Sequence, residues 1–205
     1  MRVLMFGWEF PPHISGGLGT ACYGLTNGLS YFDDMDILFV VPKAFGDEDQ
    51  SKLRLIGAND VVLRGENIHY QDLLEKIQFM EVNSNIIPYT DPEEYFKLME
   101  QDKSGKKQFV HAHFSGKLEF TGGYGANLFQ EIANYAAVAT EIAAAHDFDV
   151  IHSHDWLTYP AGMAAKQVSG KPLVVHVHAT DFDRSGGDVN TGVYEMERRG
   201  MEAAD

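Results

Sequence analysis

The sequence predicts an α/β domain built on a doubly wound, parallel sheet, and three observations carry that reading. Between Val3 and Val41 the pattern runs strand, glycine loop, helix, strand. Alternating strands and helices return after Gly125. The stretch between, from Lys43 to Gly123, lacks that regularity and reads as an insertion. A helix joining two strands makes them parallel neighbours, since antiparallel strands need only a short turn. In such sheets ligands bind outside the C-terminal ends of the strands, so chemistry is sought there.

Taken in order, Val3 to Phe6 is a short apolar run bounded by Gly7, a buried strand. Trp8 to Ser15 contains Pro11-Pro12, which excludes helix and makes a loop. After Gly16-Gly17, Leu18, Cys22, Leu25 and Leu29 recur at the spacing of one helical stripe. Ile37 to Val41 is the second strand, stopped by Pro42. Within 43–123 short strands are expected at Val61-Val62-Leu63 and from Phe79 to Val82. A helix start is expected at Asp91-Pro92, and a polar turn from Lys103 to Lys107. Ala126 to Ala145 is a long amphipathic helix with Leu128, Ile132, Tyr135, Ala139 and Ile142 on its apolar stripe. Val150 to His154 is the next strand, Trp156 to Val168 a helix closed by Ser169-Gly170, and Leu173 to His178 another strand. A helical pattern then runs from Thr191 to Asp205 with no stop signal.

Composition bounds the function. A chain of 205 residues that is 44% hydrophobic and 12% aromatic can bury one sizeable core, which excludes general disorder. With 16 Lys+Arg against 30 Asp+Glu, the net charge is −14, and binding to a nucleic-acid backbone or an anionic membrane surface is disfavoured. Cys22 is the single cysteine, so neither an internal disulfide nor a thiolate zinc cluster can form. The start reaches a carboxylate at Glu9, too early for a signal-peptide core, and no apolar run approaches the ~20 residues of a membrane span. A cytoplasmic protein is expected.

Three groups of residues can carry chemistry. Ser15-Gly16-Gly17-Leu18-Gly19 lies between the first strand and its helix, where backbone N–H groups and the helix dipole favour a phosphate. It matches neither G-x-G-x-x-G nor the P-loop, and a plain strand-to-helix turn is the competing use. The second group is three His-x-His pairs, His111/His113, His152/His154 and His176/His178. Alternate residues of a strand share a face, so each pair can chelate. Nothing in the spacing makes the pairs converge with further carboxylates, however, and no metal is expected. The third group joins His154-Asp155-Trp156 with His178-Ala179-Thr180-Asp181 and Arg184 at two consecutive strand ends. Carboxylates and imidazoles can bond sugar hydroxyls and Trp can offer a flat apolar face; capping by Asp155 and Asp181 is the alternative.

Trp8-Glu9-Phe10-Pro11-Pro12-His13-Ile14-Ser15-Gly16-Gly17-Leu18-Gly19, His152-Ser153-His154-Asp155-Trp156, His178-Ala179-Thr180-Asp181 and Tyr194-Glu195-Met196-Glu197 follow in this order. Together they resemble the N-terminal half of bacterial glycogen/starch-synthase-like glycosyltransferases, which have two Rossmann-like domains in the GT-B fold. The resemblance implies a retaining transfer of glucose from ADP- or UDP-glucose to an α-1,4-glucan or another sugar acceptor, the nucleotide-sugar acting as co-substrate and no cofactor or metal being needed. It implies that Gly16 and Gly17 approach the donor diphosphate and that His178 is the catalytic residue beside the transferred sugar. It further implies that His154, Asp155 and Trp156 line the acceptor side of the cleft with Glu9, Asp181 and Arg184.

Two departures from the family pattern stand out. Ile14 occupies the position where many bacterial glycogen synthases carry a Lys, which brings the chain nearer to sucrose- and trehalose-type synthases. The Glu-x7-Glu motif and the Lys/Arg pair of the second domain are missing, so residues 1–205 are expected to be an acceptor-side domain without its C-terminal nucleotide-sugar domain, and inactive alone. Two rivals differ in class. One is a stand-alone carbohydrate-binding or interaction domain. The other, a nicotinamide-dependent oxidoreductase, suffers from the wrong glycine spacing and from a second strand that ends Val40-Val41-Pro42 without an acidic ribose ligand.

Overall fold

The computed structural model describes residues 1–63 and 116–205. Its strands are β1 (Arg2–Phe6), β2 (Asp36–Val41), β3 (Arg54–Gly57), β4 (Val62–Leu63), β5 (Gly116–Lys117), β6 (Val150–His154) and β7 (Leu173–His176). Its α-helices are α1 (Gly17–Leu29), α2 (Leu128–Ala145), α3 (Tyr159–Ser169), α4 (Asp181–Ser185) and α5 (Thr191–Ala203). Five strands form one sheet in the order β3-β2-β1-β6-β7, with every pairing parallel. The doubly wound Rossmann-like sheet is thus present. The chain moves outward from β1 in both directions, and right-handed crossovers then place helices on both faces.

Register assigns those faces. Met5 pairs with Phe39 and with His152, and His152 with Val174, so all four point the same way. On that side Phe39 packs against Phe10 at 4.9 Å, and Phe10 meets Tyr23 of α1 edge-on at 5.7 Å. The opposite face belongs to α2 and α3. Phe6 meets Tyr135 of α2 edge-on at 5.7 Å, and a Cβ at Gly162 of α3 would lie 2.1 Å from Ser153 Oγ, so glycine lets that helix touch the sheet. All five apolar positions expected on α2 are buried. On α1, Leu18 and Cys22 are buried while Leu25 and Leu29 pack at the core margin.

Several boundaries differ from those expected, each for a local reason. β3 lies inside the stretch read as an insertion, yet it is the edge strand of the main sheet. Expected as three residues, the strand at Val61-Val62-Leu63 is the two-residue β4, paired antiparallel with β5. α2 begins at Leu128 rather than Ala126. α3 begins at Tyr159 rather than Trp156 because Asp155 adopts a left-handed conformation, φ 59°, which no helix continues. β7 stops at His176 rather than His178: the N–H of His178 turns to the Asp155 carboxylate, 2.8 Å away. α5 stops at Ala203, and Asp205 folds back on β7, its N–H donating to Leu173 O at 3.0 Å and its carboxylate accepting from Leu173 N at 2.9 Å. The unexpected α4 begins at a capping box between Thr180 and Asp183. The expected strand at Phe79–Val82, the helix start at Asp91 and the His111/His113 pair fall outside the described residues.

Candidate functional site

The C-terminal ends of β1, β6 and β7 open at one end of the sheet, and the loops leaving them carry the residues of interest. After β1, the buried Glu9 anchors the loop that leads to α1: its carboxylate accepts from Ser15 N at 3.2 Å and also from the Ser15 hydroxyl. Gly19 fits beneath this loop because a Cβ there would lie 2.4 Å from Ile14 Cγ2. Gly16 and Gly17 instead face open space, and Gly16, the N-cap of α1, supplies no side-chain cap. Its first N–H groups therefore stay available, with the positive end of the helix dipole, for an anion.

At the other two strand ends the sheet register gathers imidazoles. His154 pairs across strands with His176, and His152 precedes it on the same face. The rings of His152, His154, His176 and His178 form a continuous stack, with centroids 4.3 to 5.5 Å apart between neighbours. His154 Nδ1 lies 3.0 Å from His178 Nε2, a hydrogen bond that orients the two rings mutually. Asp155 holds His178 from the main chain, as noted, while its own N–H donates to His176 O at 2.9 Å. Burial first, and then the neighbouring imidazoles, push His152 down to about 4 and His154 to about 2. His178 is lowered too, by burial, against the pull of the Asp155 carboxylate. Burial, with the carboxylates of Asp155 and Glu9 adding to it, raises the Cys22 thiol to about 12. Near pH 7 His152 and His154 are therefore neutral, so they can hydrogen-bond a ligand without supplying charge to a diphosphate.

The remaining expected residues divide. Asp181 and Arg184 sit in a closed network: Asp181 N donates to Glu197 Oε1 at 2.8 Å, Arg184 Nη2 donates to the same oxygen at 2.9 Å, and Asn190 N donates to Asp181 Oδ2 at 2.6 Å. Arg184 Nη1 also donates to Ala179 O. These groups shape the loop around β7's end from beneath. Trp156 departs from expectation. Its side chain is fully buried against Phe129, ring centroids 5.9 Å apart, so the flat face expected to meet a sugar is part of the core. The left-handed turn at Asp155 carries it inward. Asp155 does not cap α3, whose N-cap is Thr158, and α4 is capped by Thr180 rather than Asp181.

The sequence matches the starch synthase catalytic domain family over residues 2–204, which is nearly its full length. The chain belongs to that family. Among curated relatives of this starch synthase-type domain is an uncharacterized glycosyltransferase of Methanocaldococcus jannaschii, 24% identical over 200 residues that cover 96% of this chain and 36% of the relative. A glycogen synthase of Mycobacterium tuberculosis is 23% identical over 191 residues, 93% of this chain and again 36% of the relative. The chain spans about a third of the length of these proteins. As a starch synthase-type domain it folds as one half of the GT-B architecture, with the residues described above at its strand ends. Among the described residues no helix is long and apolar enough to cross a membrane.

Sequence reasoning missed three parts of this site. Ser15 as the partner of Glu9 had no signal beyond proximity. Glu197 and Asn190, which fix the Asp181–Arg184 loop, come from α5 and its cap, and only the family resemblance of Tyr194 to Glu197 marked that region. The convergence of two His-x-His pairs follows from the β6–β7 register, which spacing alone does not state.

Proposed function

We propose that this chain is the acceptor-side domain of a retaining glycosyltransferase, foremost a glycogen synthase moving glucose from ADP- or UDP-glucose to an α-1,4-glucan in the cytoplasm. The observation that carries the reading is the pairing of an uncapped glycine-rich helix start with His178, held at a neighbouring strand end by His154 and Asp155, in a chain of the starch synthase family. In this reading Gly16 and Gly17 offer backbone N–H groups to the donor diphosphate. His178, held by His154 and Asp155, hydrogen-bonds the transferred sugar. Glu9 positions the glycine loop, and Asp181 and Arg184 keep the cleft wall in shape. The leaving diphosphate takes the proton of the attacking acceptor hydroxyl, and the cationic groups that stabilise its charge come from the second domain of the family pattern.

The test is a titration of the chain with ADP-glucose, UDP-glucose, NADH and maltooligosaccharides, with glucosyl transfer assayed in parallel. Weak maltooligosaccharide binding, no response to NADH and no turnover are expected. Measurable transfer by these 205 residues alone would overturn the need for a second domain. In the protein carrying both domains, His178→Ala is expected to lower kcat by about 10²–10³, the loss typical of one preorganised hydrogen-bond donor.

A further inference from the structure

We infer that His152, His154 and His176 form a binding site for one divalent transition-metal ion, Zn²⁺ being the best-suited ion. The sequence reading expects no metal because spacing does not make the His-x-His pairs meet. The sheet does what spacing cannot. His152 and His154 share a face of β6, and the parallel register sets His176 of β7 directly beside His154. Each of the three offers a ring nitrogen, and those atoms all lie within 4.8 Å of one another. Rotation of the side chains out of the stack brings them to the roughly 2.0–2.1 Å at which imidazole binds zinc.

A second observation points to a ligand. The Nε2 atoms of His152 and His154 are buried and have no hydrogen-bond partner among the described residues. A buried polar atom left unpaired is costly, and here two such atoms sit on rings 4.4 Å apart. The tautomers agree. If His154 donates its Nδ1–H to His178 Nε2, its Nε2 keeps a lone pair directed away from that bond. This is the arrangement of metal-bound histidines, whose second ring nitrogen donates to an orienting group. The opposite tautomer leaves a buried N–H with no acceptor, the less favourable choice.

Access and selectivity follow from the surroundings. His152 and His176 are only half-buried, and Val174 between them on the β7 side is 47% exposed, so an ion can enter from solvent. Water completes the coordination. Three imidazoles without a carboxylate select Zn²⁺, Co²⁺, Ni²⁺ or Cu²⁺ over Mg²⁺ or Ca²⁺. An overlapping trio, Cys22 with His154 and His178, has ligand atoms equally close. Its two imidazoles are already engaged with each other through the His154–His178 bond, which leaves the outer trio as the site.

The inference does not depend on the transferase reading, and its test needs no sugar. The tag-free 205-residue chain, stripped with a chelator, is titrated with Co²⁺ and then Zn²⁺. One equivalent of Co²⁺ should bind with visible d–d absorption, and Zn²⁺ should displace it. H152A and H176A should each weaken binding about tenfold or more, since losing a ligand costs no less than losing the group that orients one. The double variant H111A/H113A should bind as the parent does. Imidazole ¹⁵N spectra of the parent chain guard against misfolded variants: Zn²⁺ should move the His152, His154 and His176 resonances and leave those of His13 and His146 unchanged. Absence of the Co²⁺ band overturns the proposal. So do parent-like affinity in both H152A and H176A, or a band lost with H111A/H113A.

Discussion

His154 is buried and His152 half-buried on one strand, and both stay neutral far below the ordinary histidine range. In the unfolded chain both protonate near pH 6.5, so below that value the unfolded state binds more protons than the folded one. Stability is then complete above about pH 6.5 and falls as the pH drops toward 4. At 1.36 kcal/mol per pH unit, each of the two histidines removes about 2 kcal/mol at pH 5. Chemical denaturation of the metal-free chain at pH 7.5 and pH 5 measures this loss; an unmoved midpoint would mean that both rings are solvated. Trp156 shows where residue-level reading fails. Its neighbours in sequence point to a cleft, yet one positive φ at Asp155 turns the indole into the core, and no periodicity carries that information. His178 and Asp155, by contrast, meet at a strand end as their positions suggested.

Between elements, a buried polar tie joins α5 to α4. Glu197 is 5% exposed and its single Oε1 receives both Asp181 N and Arg184 Nη2. Burial raises its carboxyl above the usual range, against the bonds from Asp181 N and Arg184. Removing it takes the nearer carboxylate from a guanidinium whose side chain is only 15% exposed, leaving it Asp181 Oδ1 at 4.0 Å and Ala179 O. Glu197→Ala is therefore expected to cost about 3 kcal/mol, the scale of breaking a buried ion pair from one side. Glu197→Gln keeps an oxygen acceptor and should cost less. Urea midpoints of the two variants give the comparison; equal midpoints would remove the retained oxygen acceptor from the account. The two helices differ in legibility. α5 shows a clear apolar stripe, whereas α4 has five residues and an Asp, not the longer Glu or Gln, closing its capping box.

Over the whole molecule, the parallel sheet and both βα halves were readable because buried strands and amphipathic helices leave unmistakable periods. Strand β3 was not: Arg54 opens it and Gly57 closes it, so its apolar run is only Leu55-Ile56, too short to separate from a loop. The strand-end positions of His154, Asp155 and His178 were readable, while the partners Glu197 and Asn190, which come from α5 and its cap, were not. Tyr135 supplies a last consequence. From the middle of α2 its single hydroxyl proton is shared between Val40 O at 2.7 Å and Gly7 O at 3.0 Å, and Val40 O also accepts the Gly7 amide at 2.9 Å. The C-terminal ends of β1 and β2 are thereby latched to the helical layer and cannot fray independently of it. In native-state hydrogen exchange, the Gly7 amide should exchange only through global unfolding, and Tyr135→Phe should let it exchange through local opening. The strand end from which the Glu9 loop departs then belongs to the most slowly opening part of the protein.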